Sequence, residues 1–190
     1  MTSLRHIDYL DAAREALLDV GWRRTTLTDV ARRAGVSRMT IYRAWPDVAA
    51  LMSDLMTREW ARMTESVGPL EMEQPTPDGI ARGVIALTRT LRTNEVFRRI
   101  LDVDAELLLP YLLERRGRSQ QAILDVLTEI IRAGQRAGTV VAGAPATLAR
   151  TTLLVSHGLA LSAQTMVDDA VSLEALEQSF HALLTKGLQP

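Results

Sequence analysis

Between Trp22 and Trp45 the chain carries two short apolar-periodic segments hinged on one glycine, and this pair narrows the fold more than any other feature. Thr26 precedes the first segment and Asp29 follows three residues later, the spacing of a capping box. In such a box the hydroxyl takes one free N–H of the new helix and the acid reaches back to another. Leu27, Val30, Ala31 and Ala34 recur at helical spacing and predict an inward face. Gly35 lies just past the last of them, where a turn through the left-handed region is least costly for a residue without Cβ. Val36 fills the corner, and Ser37 is placed to cap the next helix. In that helix Ile41 points back toward Ala31, whose small side chain lets the two helices approach. Arg38, Met39, Thr40 and Tyr42 are left on the outer face.

Two helices joined in this way make a helix-turn-helix, whose second helix enters the DNA major groove. A Met-Thr-x-Tyr face suits that environment better than water. Methionine and threonine can touch thymine methyls, and hydroxyls can reach phosphates. Charge agrees locally: from Trp22 to Arg43 there are six arginines against Asp29, while the whole chain carries a formal net charge of −1. One basic face on a near-neutral protein fits docking on a polyanion. The expected DNA contacts are Thr25, Thr26, Ser37, Arg38, Met39, Thr40, Tyr42 and Arg43. Charge alone would fit a solvated arginine-rich helical pair equally well; the caps, the turn and Tyr42 together favour the DNA reader.

Beyond this motif the chain reads as anonymous helical protein. Its 190 residues suffice for one or two small cores, and 47% apolar with 4% aromatic residues favours packed helices over sheets. There is no cysteine, hence no disulfide framework and no thiolate chemistry. No secretory signal and no apolar run of the ~20 residues needed to span a bilayer is visible, so a cytoplasmic protein without a membrane partner is expected. His6, His157 and His181 are scattered without metal-ligand spacing, and no phosphate loop or nucleophile elbow occurs. The carboxylate pairs Asp102/Asp104 and Asp168/Asp169 fall near predicted helix ends, where acids commonly cap or meet solvent. No catalytic residue, metal or cofactor is therefore expected, and the chain does not read as an enzyme.

The pattern predicts an all-α fold of about nine helices. The first runs from about Leu4 to Val20, buries Leu10, Ala13 and Leu17, and ends at Gly21, with Trp22 packing the turn. Asp47 caps a long helix to about Ser66 with Leu51, Leu55, Met56 and Met63 inside. Residues 67–79 hold three prolines and two glycines and exclude a helix. Thr76-Pro77 opens a helix over 77–93, and Asn94 or Glu95 one over 95–102. Residues 104–114 are interrupted at Pro110. Further helices cover 119–136, 145–165 and, after Ser172, a stretch to about Leu184. The organisation expected is a three-helix DNA-binding domain at 1–46 and a helical domain at 47–190. Helix 47–66 connects them and is the natural mechanical lever.

The run Leu10-Asp-Ala-Ala, Gly21-Trp22, Thr25-Thr26-Leu27-Thr28-Asp29-Val30-Ala31, Ala34-Gly35-Val36-Ser37, Thr40-Ile41-Tyr42-Arg43 and Trp45-Pro46 resembles the TetR/AcrR family of bacterial transcription regulators. The likeness covers about residues 7–60 and is specific because the elements occur together in order. It implies a homodimer whose affinity for an inverted-repeat operator changes when a small molecule binds the C-terminal domain, most often a repressor released by its effector. Two positions depart from the pattern. Met39 stands where the family often has glycine, and Val48 where it commonly has a lysine phosphate anchor. A phosphate contact must then come from Arg43 or from the hydroxyls of Thr25 and Thr26.

The resemblance directs attention to two further sets. An effector cavity, with an apolar or amphipathic occupant, would be lined by Trp60, Met63, Leu87, Leu91, Phe97, Leu108, Tyr111 and Leu127, with Thr88, Glu106, His157 and Gln164 as further polar candidates. Each has a blander reading as ordinary core, interface or solvated surface. A four-helix dimer interface would be built from the last two helices, through Leu148, Val155, Leu159, Ser162, Leu173, Leu176, Phe180 and Leu184. The alternative reading is a helical small-molecule-binding or protein-interaction dimer without functional DNA binding, which Met39 and Val48 favour and the arginine cluster opposes.

Overall fold

The computed structural model describes residues 2–67 and 75–190, with side chains from Tyr9 onward. Among the described residues there are ten α-helices: α1 Thr2–Val20, α2 Leu27–Arg33, α3 Arg38–Ala44, α4 Val48–Val67, α5 Pro77–Thr93, α6 Glu95–Asp104, α7 Leu109–Leu113, α8 Arg118–Arg136, α9 Pro145–Ser162 and α10 Leu173–Leu188. Turns of 3-10 helix follow α6 at Ala105–Leu108 and α9 at Ala163–Met166. There is no strand among the described residues. Helix α6, its 3-10 turn and α7 follow one another directly, although the backbone leaves helical geometry at Asp104 (φ −136°, ψ 34°); the described residues have the all-helical fold expected.

The caps explain where these rods begin. Side-chain oxygens of Thr26, Ser37, Asn94 and Ser172 accept the N–H three residues on, which relieves one unpaired donor in each first turn. Asp47 does the same for Ala50 at 2.7 Å, and Thr76 for Gly79 at 3.1 Å. Pro110 sits in the first turn of α7, where its missing N–H costs nothing, so the interruption there is a 3-10 turn rather than a break. Of the proline-rich stretch 67–79, residues 68–74 lie outside the described residues; Pro75 and Thr76 are non-helical and Pro77 starts α5. Two ends differ from expectation. Helix α9 stops at Ser162, and α10 continues to Leu188 because Leu188 is buried against the second core.

The chain divides into two compact units, one of Met1–Arg62 with Thr93–Ser119, the other of Met63–Arg92 with Gln120–Pro190. This cut differs from a boundary at 46/47, since α6 and α7 group with the N-terminal helices. The first unit buries Leu17, Val30, Ile41, Trp45, Leu51, Leu55, Val96 and Ile100 in one cluster. Tyr9 meets Trp45 edge-on at 6.2 Å between ring centroids, and the Trp45 indole donates to Asp54 at 2.8 Å. Each such aliphatic side chain contributes about 1.5–3 kcal/mol by leaving water. The second unit is built on Ile80, Leu124, Leu127, Ile130, Ile131 and Val140. There Glu177 of α10 is buried and held by Arg89 and Arg92 of α5. Burial pushes that carboxyl up, but the two arginines outweigh it and leave it below its ordinary value.

Candidate nucleic-acid interface

Helix α2 starts as its sequence dictates. The Asp29 N–H donates to Thr26 Oγ1 at 3.1 Å. The reciprocal half of the capping box is not made. Instead the Asp29 carboxylate accepts from Arg33 Nε at 2.8 Å and from Arg32. Arg33 also donates to Asp19 at 2.6 Å. Two guanidinium groups satisfy a carboxylate better than one distant amide, and they hold Asp29 below the usual carboxylate range, Arg33 contributing more than Arg32. Gly35 then takes φ +66°, and Val36 N–H closes the turn on Ala31 C=O at 3.0 Å. Ser37 Oγ accepts from Thr40 N–H at 3.2 Å and lies 2.8 Å from Thr40 Oγ1.

Helix α3 is anchored by Ile41, which has no exposed surface, while Met39 and Tyr42 are 64% and 50% exposed. Arg38 and Arg43 are exposed beside them and have no acidic partner among the described residues. The sequence counts six arginines in this motif, but Arg23 pairs with Glu106 at 2.8 Å and Arg32 and Arg33 pair with acids. The uncompensated charge is therefore concentrated on α3, with Arg24 adding a guanidinium whose Nε donates to Val20 C=O. An apolar-aromatic strip flanked by two unpaired guanidinium groups can meet base edges and phosphates together.

Not every expected contact lies on this face. Thr26 and Ser37 are exposed and Thr40 is half-buried, but the Thr25 side chain turns inward. It is 2% exposed, and its hydroxyl donates to Gly21 C=O at 2.8 Å, so it closes the α1–α2 turn rather than offering a phosphate contact. Val48 packs against the first core, which accounts for an apolar residue there.

Two buried acids of this unit escaped sequence reasoning. Asp104, grouped with Asp102 as a helix-end acid, is 4% exposed, and its Oδ2 accepts the Trp22 N–H at 2.7 Å. No local pattern marks it, because its partner lies 82 residues away. Glu106 is exposed, in keeping with its solvated reading, and it pairs there with Arg23. Glu59 was also missed: it is 3% exposed on α4, within 4 Å of Arg14, Arg58 and Arg62.

The expected effector lining is shared between the two units. Trp60, Phe97, Leu108 and Tyr111 belong to the first; Met63, Leu87, Leu91, Leu127 and His157 to the second. Leu108 packs on the first core and Leu127 is part of the second, so both serve the fold itself. The Thr88 hydroxyl is spent on Val84 C=O at 2.8 Å, Tyr111 lies under Arg115, and Gln164 is exposed. His157 is half-buried, and burial pushes its imidazole below its ordinary value. Of the expected dimer set, Val155 and Ser162 are exposed, whereas Leu159, Leu173 and Leu176 are half-buried. Leu148 and Leu184 pack on the second core and Phe180 is 8% exposed, so Phe180 supports its own chain. Leu183, on the apolar face expected of the last helix, is 68% exposed, and Leu154, which was not expected, is 72% exposed. Among the described residues no helix is long and apolar enough to cross a membrane, and no group of three or more His, Asp or Glu side chains is placed to hold a metal.

The family model described as bacterial regulatory proteins, tetR family, matches residues 10–55, which span this interface. The HTH-type transcriptional regulator Rv2250c of Mycobacterium tuberculosis (strain H37Rv) is 34% identical over 92% of this chain and 89% of its own length. The TetR-family transcriptional repressor QsdR of R. erythropolis has the same fold, with a TM-score of 0.68 at 16% identity over 100% of this chain and 98% of that one. The TetR-family repressor AlkX of Dietzia sp. strain DQ12-45-1b, implicated in biodegradation of n-alkanes, aligns with a TM-score of 0.64 at 18% identity over 95% of each chain. With the tetR-family model matched across the helix-turn-helix and a relative matched over almost its whole length, the chain belongs to the TetR family of bacterial helix-turn-helix transcriptional regulators.

Proposed function

We propose that this regulator is a cytoplasmic repressor that binds an inverted-repeat operator as a homodimer and is released by a small apolar or amphipathic effector. The observation that carries the reading is the outer face of α3, where Met39 and Tyr42 stand exposed between the unpaired Arg38 and Arg43. Such a face reads base edges in the major groove while its guanidinium groups hold the backbone. Dimerisation is supported by Leu154 and Val155 of α9 and Leu183 of α10, large apolar side chains that a single chain leaves in water. A two-fold axis would set two α3 helices about 34 Å apart, one turn of duplex, which is the logic of an inverted repeat. An apolar effector is supported by the apolar character of the expected lining in residues 47–190 and by the n-alkane connection of the AlkX relative.

The test is to incubate the purified protein with fragmented DNA of its source organism, recover the bound pieces and sequence them, with Tyr42→Ala in parallel. Enrichment of one inverted repeat, lost in the variant, is the expected result. No enrichment at low salt overturns the reading and favours a helical ligand-binding dimer. Light scattering on the same sample should give twice the chain mass of 21.0 kDa.

A further inference from the structure

The turn that delivers the chain from α1 into the DNA-reading pair is held from a distant part of the sequence. Helix α1 ends at Val20, and Gly21 takes φ +87°. The turn then exposes backbone groups that no helix satisfies. Two side chains of α6 meet backbone groups here, and a third, from the 3-10 turn after it, holds a side chain of the turn. Asp104 Oδ2 accepts the Trp22 N–H at 2.7 Å and lies 3.5 Å from the Arg23 amide nitrogen. Arg99 donates to Asp19 C=O at 2.9 Å, and Glu106 pairs with the Arg23 guanidinium at 2.8 Å. Asp104 is the member that is buried. A carboxylate out of water is stable only where donors converge on it, and a charge-assisted bond to a backbone amide is both short and directional. The approach is close enough that a Cβ at position 21 would stand 2.9 Å from Asp104 Oδ2 and 3.2 Å from Val103 Cγ1. Glycine is thus required there twice, by its backbone angle and by the nearness of α6.

We propose that Asp104 is a positioning residue for DNA recognition: by fixing the Trp22 amide it sets where α2, and through it α3, is presented. Thr25 continues the chain of contacts, its hydroxyl on Gly21 C=O and its N–H on Trp22 C=O at 3.1 Å, and the next residue, Thr26, caps α2. A shift at position 22 therefore passes directly into the start of the reading pair. The same placement makes the C-terminal end of α6 an input to that pair, separate from α4. The inference rests on the chain being a DNA-binding regulator and not on which operator it takes.

The test uses the full chain and two probes: the fragment that wild type enriches from its own organism's DNA, and a random-sequence duplex. Non-specific binding needs charge near phosphates, whereas specific binding needs α3 in register, so a misplaced turn must weaken the first probe more than the second. Asp104→Ala is expected to weaken the enriched fragment by about tenfold or more while changing the random duplex less than about threefold, and to speed hydrogen exchange at the Trp22 amide. Asp104→Asn, which keeps an acceptor for that amide, is expected to restore slow exchange and most of the specific affinity. Equal weakening of both probes would mean a merely structural role and overturns the proposal, as does unchanged exchange at Trp22 or an Asn variant no better than Ala. If Asp104→Ala does not fold, Asp104→Ser takes its place, since its hydroxyl falls short of the amide. If wild type enriches no sequence, the operator reading fails, and the exchange comparison judges the turn by itself.

Discussion

Helices α2 and α3 are each seven residues long, adjacent and arginine-bearing, yet they use their charge in opposite ways. In α2, Arg32 and Arg33 close on Asp29, and Arg33 adds Asp19 of α1. In α3, Arg38 and Arg43 are exposed and form no ion pair among the described residues. The first arrangement fastens the motif to α1; the second leaves charge for a partner. The difference teaches that an arginine-rich segment cannot be read as a docking surface from its charge count. A guanidinium already paired releases little further energy on meeting a phosphate, because its own carboxylate must first be displaced.

The most direct way to break this contrast is to invert it. Replacing Arg38 and Arg43 together by Glu should cost about 100-fold or more in affinity for duplex DNA at low salt, measured by anisotropy, since two favourable phosphate contacts become repulsive. Equal damage from the same exchange at Arg32 and Arg33, once the folded fraction is corrected for, would erase the distinction. A gentler comparison sharpens it. Arg43→Ala should weaken binding about equally for all sequences and lower the salt slope by about one, whereas Arg33→Ala should lower the thermal midpoint and leave the slope unchanged.

The smallest expected effect concerns acid. Asp29 has its folded pKa depressed by Arg33 and then Arg32, so its contribution to stability is fully present above its ordinary carboxylate pKa and fades as pH falls through the depressed folded value. Denaturant titrations of wild type and Asp29→Asn should therefore differ at neutral pH and converge in strong acid. A gap that stays constant over that range would show that the pairing carries no stability.

Much of this protein is legible locally. Thr26, Ser37, Asn94 and Ser172 announce helix starts, and Gly35 announces the turn, since each acts on a backbone group within three residues of itself. The inward stripe of Leu27, Val30 and Ala31 follows from helical period in the same way. Failures come from competition that spacing alone does not rank: the competing partner is three or four residues away for Asp29 and Thr25, and the covering unit is the competitor for Phe180. Asp29 looks like half of a capping box until two arginines compete for it. Thr25 looks like a surface hydroxyl until Gly21 C=O claims it. Phe180 looks like an interface residue until its own unit covers it.

By itself, then, the amino-acid sequence determined most of the helices, their caps and the helix-turn-helix motif, because those depend on neighbours three or four positions away. Only tertiary structure decided which charges remain open and where the reading pair is held. Asp104 and Trp22 are 82 residues apart, and Arg89 and Glu177 are 88 apart. Whether such a carboxylate is a solvated helix end or a buried acceptor depends on which backbone amide or guanidinium folding brings to it, and no periodicity along the chain encodes that meeting.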